Sequence, residues 1–150
     1  MMRTVICAFV LLTILAACGE RTPSYPQREP PPGFLENLAN RAAGNALFHE
    51  HCAQCHGPEA QGHPDWRNPK VVAAPPLNGT GNEWKRRKQD MIAVIKNGAK
   101  RNGEPVMPAW KGRLTDREIE DIINWYQALW PADVYERWRK ANVPESVPSG

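Results

Sequence analysis

The 150-residue chain contains no run of ~20 apolar residues, the length a membrane-spanning helix requires. It has no internal repeat at a solenoid or propeller period, which excludes repeat arrays. Charge of one sign is scarce as well. Nineteen Lys and Arg against 16 Asp and Glu leave a net charge of +3, too little to argue for nucleic acid as a partner. Strand-like alternation is missing, so no sandwich, barrel or βαβ unit is expected and the folded part reads as all-α. The length allows one domain plus accessory segments. With 41% hydrophobic and 23% charged residues and a mean hydropathy of −0.57, the composition is that of a globular chain. Two residue types are in excess, with 15 Pro and six Trp.

Cysteine is limited to Cys7, Cys18, Cys52 and Cys55, in two unlike settings. Val5 to Ala17 form a 13-residue apolar run, with Thr13 its single polar member, behind a weakly positive start. This fits the core of an export signal over residues 1–17. The run ends Leu15-Ala16-Ala17-Cys18, which resembles the lipobox of bacterial lipoproteins. That resemblance implies lipid attachment and cleavage at Cys18, hence a membrane anchor facing the periplasm. An ordinary cleaved signal and an uncleaved anchor are the other readings. Residues 18–33 hold five prolines and no apolar period, as in a semi-rigid tether reaching at most ~3.1 Å per residue. Residues 34–142 are the expected domain and 143–150 an expected disordered tail.

Three regions carry helical signals. Leu35, Leu38, Ala39 and Ala42 share one face, but Gly44, Leu47 and Phe48 lie nearly opposite, which predicts two segments, the second near Ala43 to His51. Lys85 to Asn97 carries Met91, Ile92 and Ile95, with Gly98 as a stop. Thr115-Asp116-Arg117-Glu118 is a capping box. It opens a stripe of Ile119, Ile122, Ile123, Tyr126 and Leu129, with Trp125 on its edge and Pro131 as the terminator. A short helix over Ala132 to Lys140 is expected to follow.

Cys52-Ala53-Gln54-Cys55-His56 has the C-x-x-C-H pattern of haem attachment. Two thiols three positions apart can each add to one haem vinyl group, and the adjoining His is then carried to the iron. A zinc site would need more ligands, with His49, His51 and His63 available but irregularly spaced. A thioredoxin-like redox pair would need a βαβ context, and a plain disulfide is the remaining use. A second axial ligand is offered by Met107, 51 residues after His56 and flanked by Pro105 and Pro108. Met91, in a helical stripe, and His63, close to His56, are the alternatives.

Across about Ala43 to Trp130 the chain resembles a class I (small, mono-haem) cytochrome c in a lipid-anchored bacterial form. The resemblance implies the all-α class I fold around one haem c held by Cys52 and Cys55, with His56 and Met107 as axial ligands. It implies that Gly44 and Phe48 meet Trp125 where the terminal helices cross, and that the Pro75 carbonyl accepts a hydrogen bond from the His56 ring. A His/Met haem with no open position implies an electron carrier, free or as a subunit of a redox complex. An open or labile sixth site would imply a peroxidase or small-ligand sensor instead. From Lys85 to Arg101, seven basic residues face one acid, Asp90. They are expected to dock an acidic partner surface, the competing uses being a solvated helix face or attraction to anionic lipid.

Overall fold

In the computed structural model, residues 34–142 are described. The expected signal, lipidation site Cys18, tether and C-terminal tail lie outside the described residues.

Helix α1 spans Phe34–His51 as one continuous element, where two segments were expected. No proline interrupts it, and most of its residues favour helix. Of the apolar stripe that pointed to a break, Leu38, Ala39 and Ala42 face solvent, Leu38 being 47% exposed. What α1 buries is Gly44 and Phe48, one turn apart. Cys52 leads into a single turn, α2, Ala53–His56. A long loop, a 3-10 turn over Glu83–Lys85 and helix α3, Lys88–Asn97, follow. Arg87 sits in an extended conformation just before α3, so the expected Lys85 start moves to Lys88. Gly98 ends α3 at φ +72, with its N–H on the Val94 carbonyl.

The fold is mostly helical, as expected, with one departure. Strands β1 (Ala99–Arg101) and β2 (Glu104–Met107) form an antiparallel hairpin. The strands are too short for alternation to register as a signal, and their turn is set by left-handed Asn102 and Gly103.

Helix α4, Asp116–Gln127, begins at the capping box. The Thr115 hydroxyl accepts from the Glu118 N–H, and the Glu118 carboxylate accepts from the Thr115 N–H at 2.7 Å. Ile119, Ile122, Ile123 and Tyr126 are all but inaccessible, each worth about 1.5–3 kcal/mol of gross burial. The helix stops at Gln127, so Leu129 falls outside it and is 36% exposed. Pro131 opens α5, Ala132–Asn142, two residues longer than expected.

The α1–α4 crossing organises the domain. A Cβ on Gly44 would run into the Asp121 carbonyl, so the two backbones touch where only glycine fits. Phe48 and Trp125 stack beside that point, with ring centroids 4.5 Å apart. Met91 and Ile95 of α3 join the same core with Trp110 and Leu114. Trp130, Val134 and Trp138 complete it. Two of these indoles also tie loops: Trp130 Nε1 donates to the Leu77 carbonyl at 2.7 Å and Trp138 Nε1 to the Arg86 carbonyl at 2.9 Å.

Candidate functional site

Helix α1 passes almost directly into the C-x-x-C-H turn. The Cys52 N–H donates to the Phe48 carbonyl, and the Cys55 and His56 N–H groups both return to the Cys52 carbonyl, at 3.1 and 2.9 Å. Gly57, at φ +78, then turns the chain away. Both thiols are free, Cys52 half-buried and Cys55 exposed. Burial pushes the Cys52 thiol up to about 11, with Cys55 adding to the rise. A redox-active C-x-x-C pair works through a lowered thiol pKa, and this one is displaced the opposite way.

His56 is 8% exposed, and its Nδ1 lies 2.8 Å from the Pro75 carbonyl. A carbonyl can only accept, so the proton sits on Nδ1 and the Nε2 lone pair is left for a metal. Nε2 has no hydrogen-bond partner among the described residues. Burial lowers the ring's pKa and the Pro75 bond opposes it, so burial favours the neutral imidazole that an iron needs.

Pro75 is itself held in place from several directions. The Gly62 N–H donates to the His56 carbonyl at 2.7 Å, His63 N–H to Ala74 at 2.9 Å, and Leu77 N–H to Ala60 at 2.7 Å. Gly62, at φ +69, packs so tightly that a Cβ there would enter the Pro75–Pro76 backbone.

Met107 ends β2 opposite Ala99. It is partly buried against the same core that receives Cys52, Ala53 and Leu77. The segment beyond it is fixed to α3 through Trp110 N–H on the Ile95 carbonyl and Lys111 N–H on Lys96, at 3.1 and 3.0 Å. Its sulfur has no hydrogen-bond partner among the described residues. Met91 differs: it is 1% exposed, and its sulfur accepts the Tyr126 hydroxyl at 3.3 Å. Burial holds the Tyr126 pKa well above the usual phenol value, so that donor stays protonated.

The histidines considered for zinc are spent elsewhere. His49 Nδ1 bonds the Asn45 carbonyl, His51 packs on Trp110 at 4.8 Å, and His63 Nδ1 accepts from the Asp65 N–H. Among the described residues, no three His, Cys, Asp or Glu side chains gather as a metal site.

The basic stretch is less free than its composition implied. Arg86 pairs with Glu83 at 3.5 Å, Arg87 with Asp90 at 2.8 Å, Lys88 with Glu120 at 3.5 Å and Lys96 with Asp116 at 2.7 Å. Arg101 instead donates from Nη1 to the Val71 carbonyl at 2.6 Å. Composition gave no sign of that bond or of the Tyr126–Met91 contact, because both join residues 30 or more positions apart.

These side chains fit a covalently held haem: two free thiols on one turn, an imidazole with one nitrogen fixed and the other free, and an uncommitted thioether.

Comparison with known proteins agrees with this set. Residues 39–125 match the family described as cytochrome C oxidase, cbb3-type, subunit III. The subunit FixPc of Rhizobium leguminosarum bv. viciae is 32% identical over 98 residues, 65% of this chain and 29% of that protein. CcoP of Azospirillum brasilense is 41% identical over 87 residues, 57% of this chain and 27% of that one. The chain therefore spans less than a third of the length of these relatives. Cytochrome c6 of Leptolyngbya boryana is 32% identical over 99 residues, 66% of this chain and 98% of its own. This chain belongs to the class I c-type cytochromes, with haem c as its covalently bound cofactor.

Proposed function

We propose that the protein is an electron carrier and not an enzyme, passing single electrons between redox proteins through a haem with His56 and Met107 as axial ligands. Bound haem supplies one reversible electron at its iron. Cys52 and Cys55 would hold it by thioether bonds, and the Pro75 carbonyl would orient His56 and raise its basicity. Met107 would fill the sixth position with a soft sulfur that favours reduced iron and a raised potential. With both axial positions taken, no site is left for substrate. The observation that carries the assignment is the Tyr126 hydroxyl on the Met91 sulfur, which leaves Met107, among the described residues, as the thioether without a competing partner.

The carrier is exported and anchored in this reading. Residues 1–17 are a signal, Cys18 bears lipid, and the proline-rich residues 18–33 hold the domain off the periplasmic face of the membrane. It docks an acidic redox partner. Four of the seven basic residues from Lys85 to Arg101 already have carboxylate partners, Lys85 lies over the Trp84 ring and Arg101 bonds the Val71 carbonyl, so the docking charge centres on Lys100 and on Lys70, next to Val71 in sequence.

The oxidised protein is expected to show the weak near-infrared sulfur-to-iron band and to bind carbon monoxide poorly when reduced. Met107→Ala removes the band, lowers the potential and opens the iron. Met91→Leu, a nearly volume-conserving swap, alters none of these. A native protein that binds carbon monoxide readily, with no sulfur band, would instead be a small-ligand sensor or peroxidase. For the anchor, Cys18→Ser is expected to lose lipid labelling with an unchanged haem spectrum. Wild-type protein recovered soluble with Cys18 unmodified overturns that part.

A further inference from the structure

The two halves of the site sit on different segments. His56 is supported by the loop that ends at Pro75, and Met107 ends the β1–β2 hairpin. Among the described residues one hydrogen bond joins the hairpin to residues 57–80, and it is Arg101 Nη1 to the Val71 carbonyl, 2.6 Å. Its placement is specific. Arg101 is the last residue of β1, paired in register with Glu104, where the chain turns through left-handed Asn102 and Gly103. Val71 lies four residues before Pro75, in the stretch that Ala74 ties to His63. The bond is part-buried, and its donor is always charged. Among the described residues Arg101 has no carboxylate within ion-pair distance, so the carbonyl is its polar commitment.

We propose that Arg101 is a positioning residue that clasps the hairpin to the His56-supporting loop and so keeps the Met107 thioether seated; this rests on the assignment of Met107 as axial ligand. The other ties of the Met107 segment lie at the base of the hairpin, where Met107 pairs with Ala99, and after the methionine, where Trp110 and Lys111 run to α3. They fix the base of the hairpin beside α3 and leave its turn, Arg101 to Glu104, free to swing and to strain the pairing that seats Met107. A charge-assisted bond across the gap stops that swing at the turn farthest from those ties. The side chain acts on how often the sulfur leaves, not on whether the domain folds.

An external ligand such as cyanide can reach ferric iron only when the sulfur has left, so its limiting binding rate reads the clasp directly. Arg101→Met keeps the apolar stem and removes the donor. It is expected to bind potassium cyanide about tenfold faster than wild type, in line with the loss of one charged hydrogen bond. Arg101→Lys keeps the charge on a shorter, single-headed donor and is expected to fall between the two, which supplies the measurement if the Met variant does not mature. The near-infrared sulfur band should persist in both, broadened or reduced in Arg101→Met. A lower melting temperature with an unchanged cyanide rate would make Arg101 a simple brace and overturn the proposal. A wild-type protein with no sulfur band would overturn it together with the Met107 assignment, whereas a normal band with indifferent Arg101 variants defeats the clasp alone.

Discussion

Gly44→Ala tests the crossing on which the whole site hangs, because α1 delivers the haem-binding turn. A carbon rests against a carbonyl oxygen at roughly 3.3–3.6 Å, and a methyl on Gly44 would fall well inside that distance of the Asp121 oxygen. The obstacle is backbone, so no rotamer change relieves it; α1 and α4 must separate by about 1 Å. A gap of that size forfeits about a quarter to a half of the attraction at each contact, including the Phe48–Trp125 stack. Overpacking of this kind costs ~1–3 kcal/mol. A rigid neighbour puts the cost at the upper end, and the better helix propensity of Ala returns ~1 kcal/mol. The net loss is ~2 kcal/mol, which lowers the melting temperature of a domain this size by ~8–16 °C. Thermal unfolding of the holoprotein, followed by far-ultraviolet dichroism, measures it. The exposed neighbour Ala43 supplies the comparison, since Ala43→Gly changes propensity alone and should cost ~1 kcal/mol. A Gly44→Ala protein melting at or above wild type would show that the helices do not touch there, and would refute the reasoning.

Three further outcomes are expected. Thr115→Ala removes the hydroxyl half of the capping box and should cost ~1 kcal/mol, read as a lower melting temperature with an unchanged haem spectrum. Glu83 is largely buried, and burial raises its pKa against the opposing pull of Arg86 3.5 Å away. A raised carboxylate pKa means the folded state takes up the proton more readily, so the wild type loses stability as pH rises through the folded value. Glu83→Gln should therefore melt higher than wild type at pH ~7 and lose that advantage below pH ~4.3; a gain unchanged at acid pH would contradict the assignment. Charge reversal at Lys70 and Lys100 together should slow transfer to an acidic partner at low salt and flatten its salt dependence, and unaltered kinetics would return both lysines to plain solvation.

The chemistry was legible in the sequence wherever it is local. C-x-x-C-H is a five-residue pattern, the capping box four, and Gly98 ends α3 by itself. The α4 stripe is equally plain because a helix repeats its buried positions. The α1 stripe misled for a related reason: Leu38, Ala39 and Ala42 share a face, but that face meets water, and the burial that matters is confined to Gly44 and Phe48. A single close approach has no periodicity to detect. The hairpin was missed because strands of three and four residues leave no alternation to count. The pairing within the basic run was only half legible: Glu83 and Asp90 lie three residues from Arg86 and Arg87, but Glu120 and Asp116, the partners of Lys88 and Lys96, belong to another helix.

Helix α5 bears on where this domain ends. The family match spans residues 39–125, and a boundary drawn at its end would discard Trp130 and Trp138. Yet those indoles close the core and satisfy the carbonyls of Leu77 and Arg86, two residues of the loop that leads from Pro75 to α3. Excision at residue 125 would expose a hydrophobic wall and orphan two acceptors, so a fragment cut there is expected to melt lower than one that keeps α5. The haem-binding turn thus depends on packing supplied from beyond the matched residues, and a gene fusion or crystallisation fragment should keep α5.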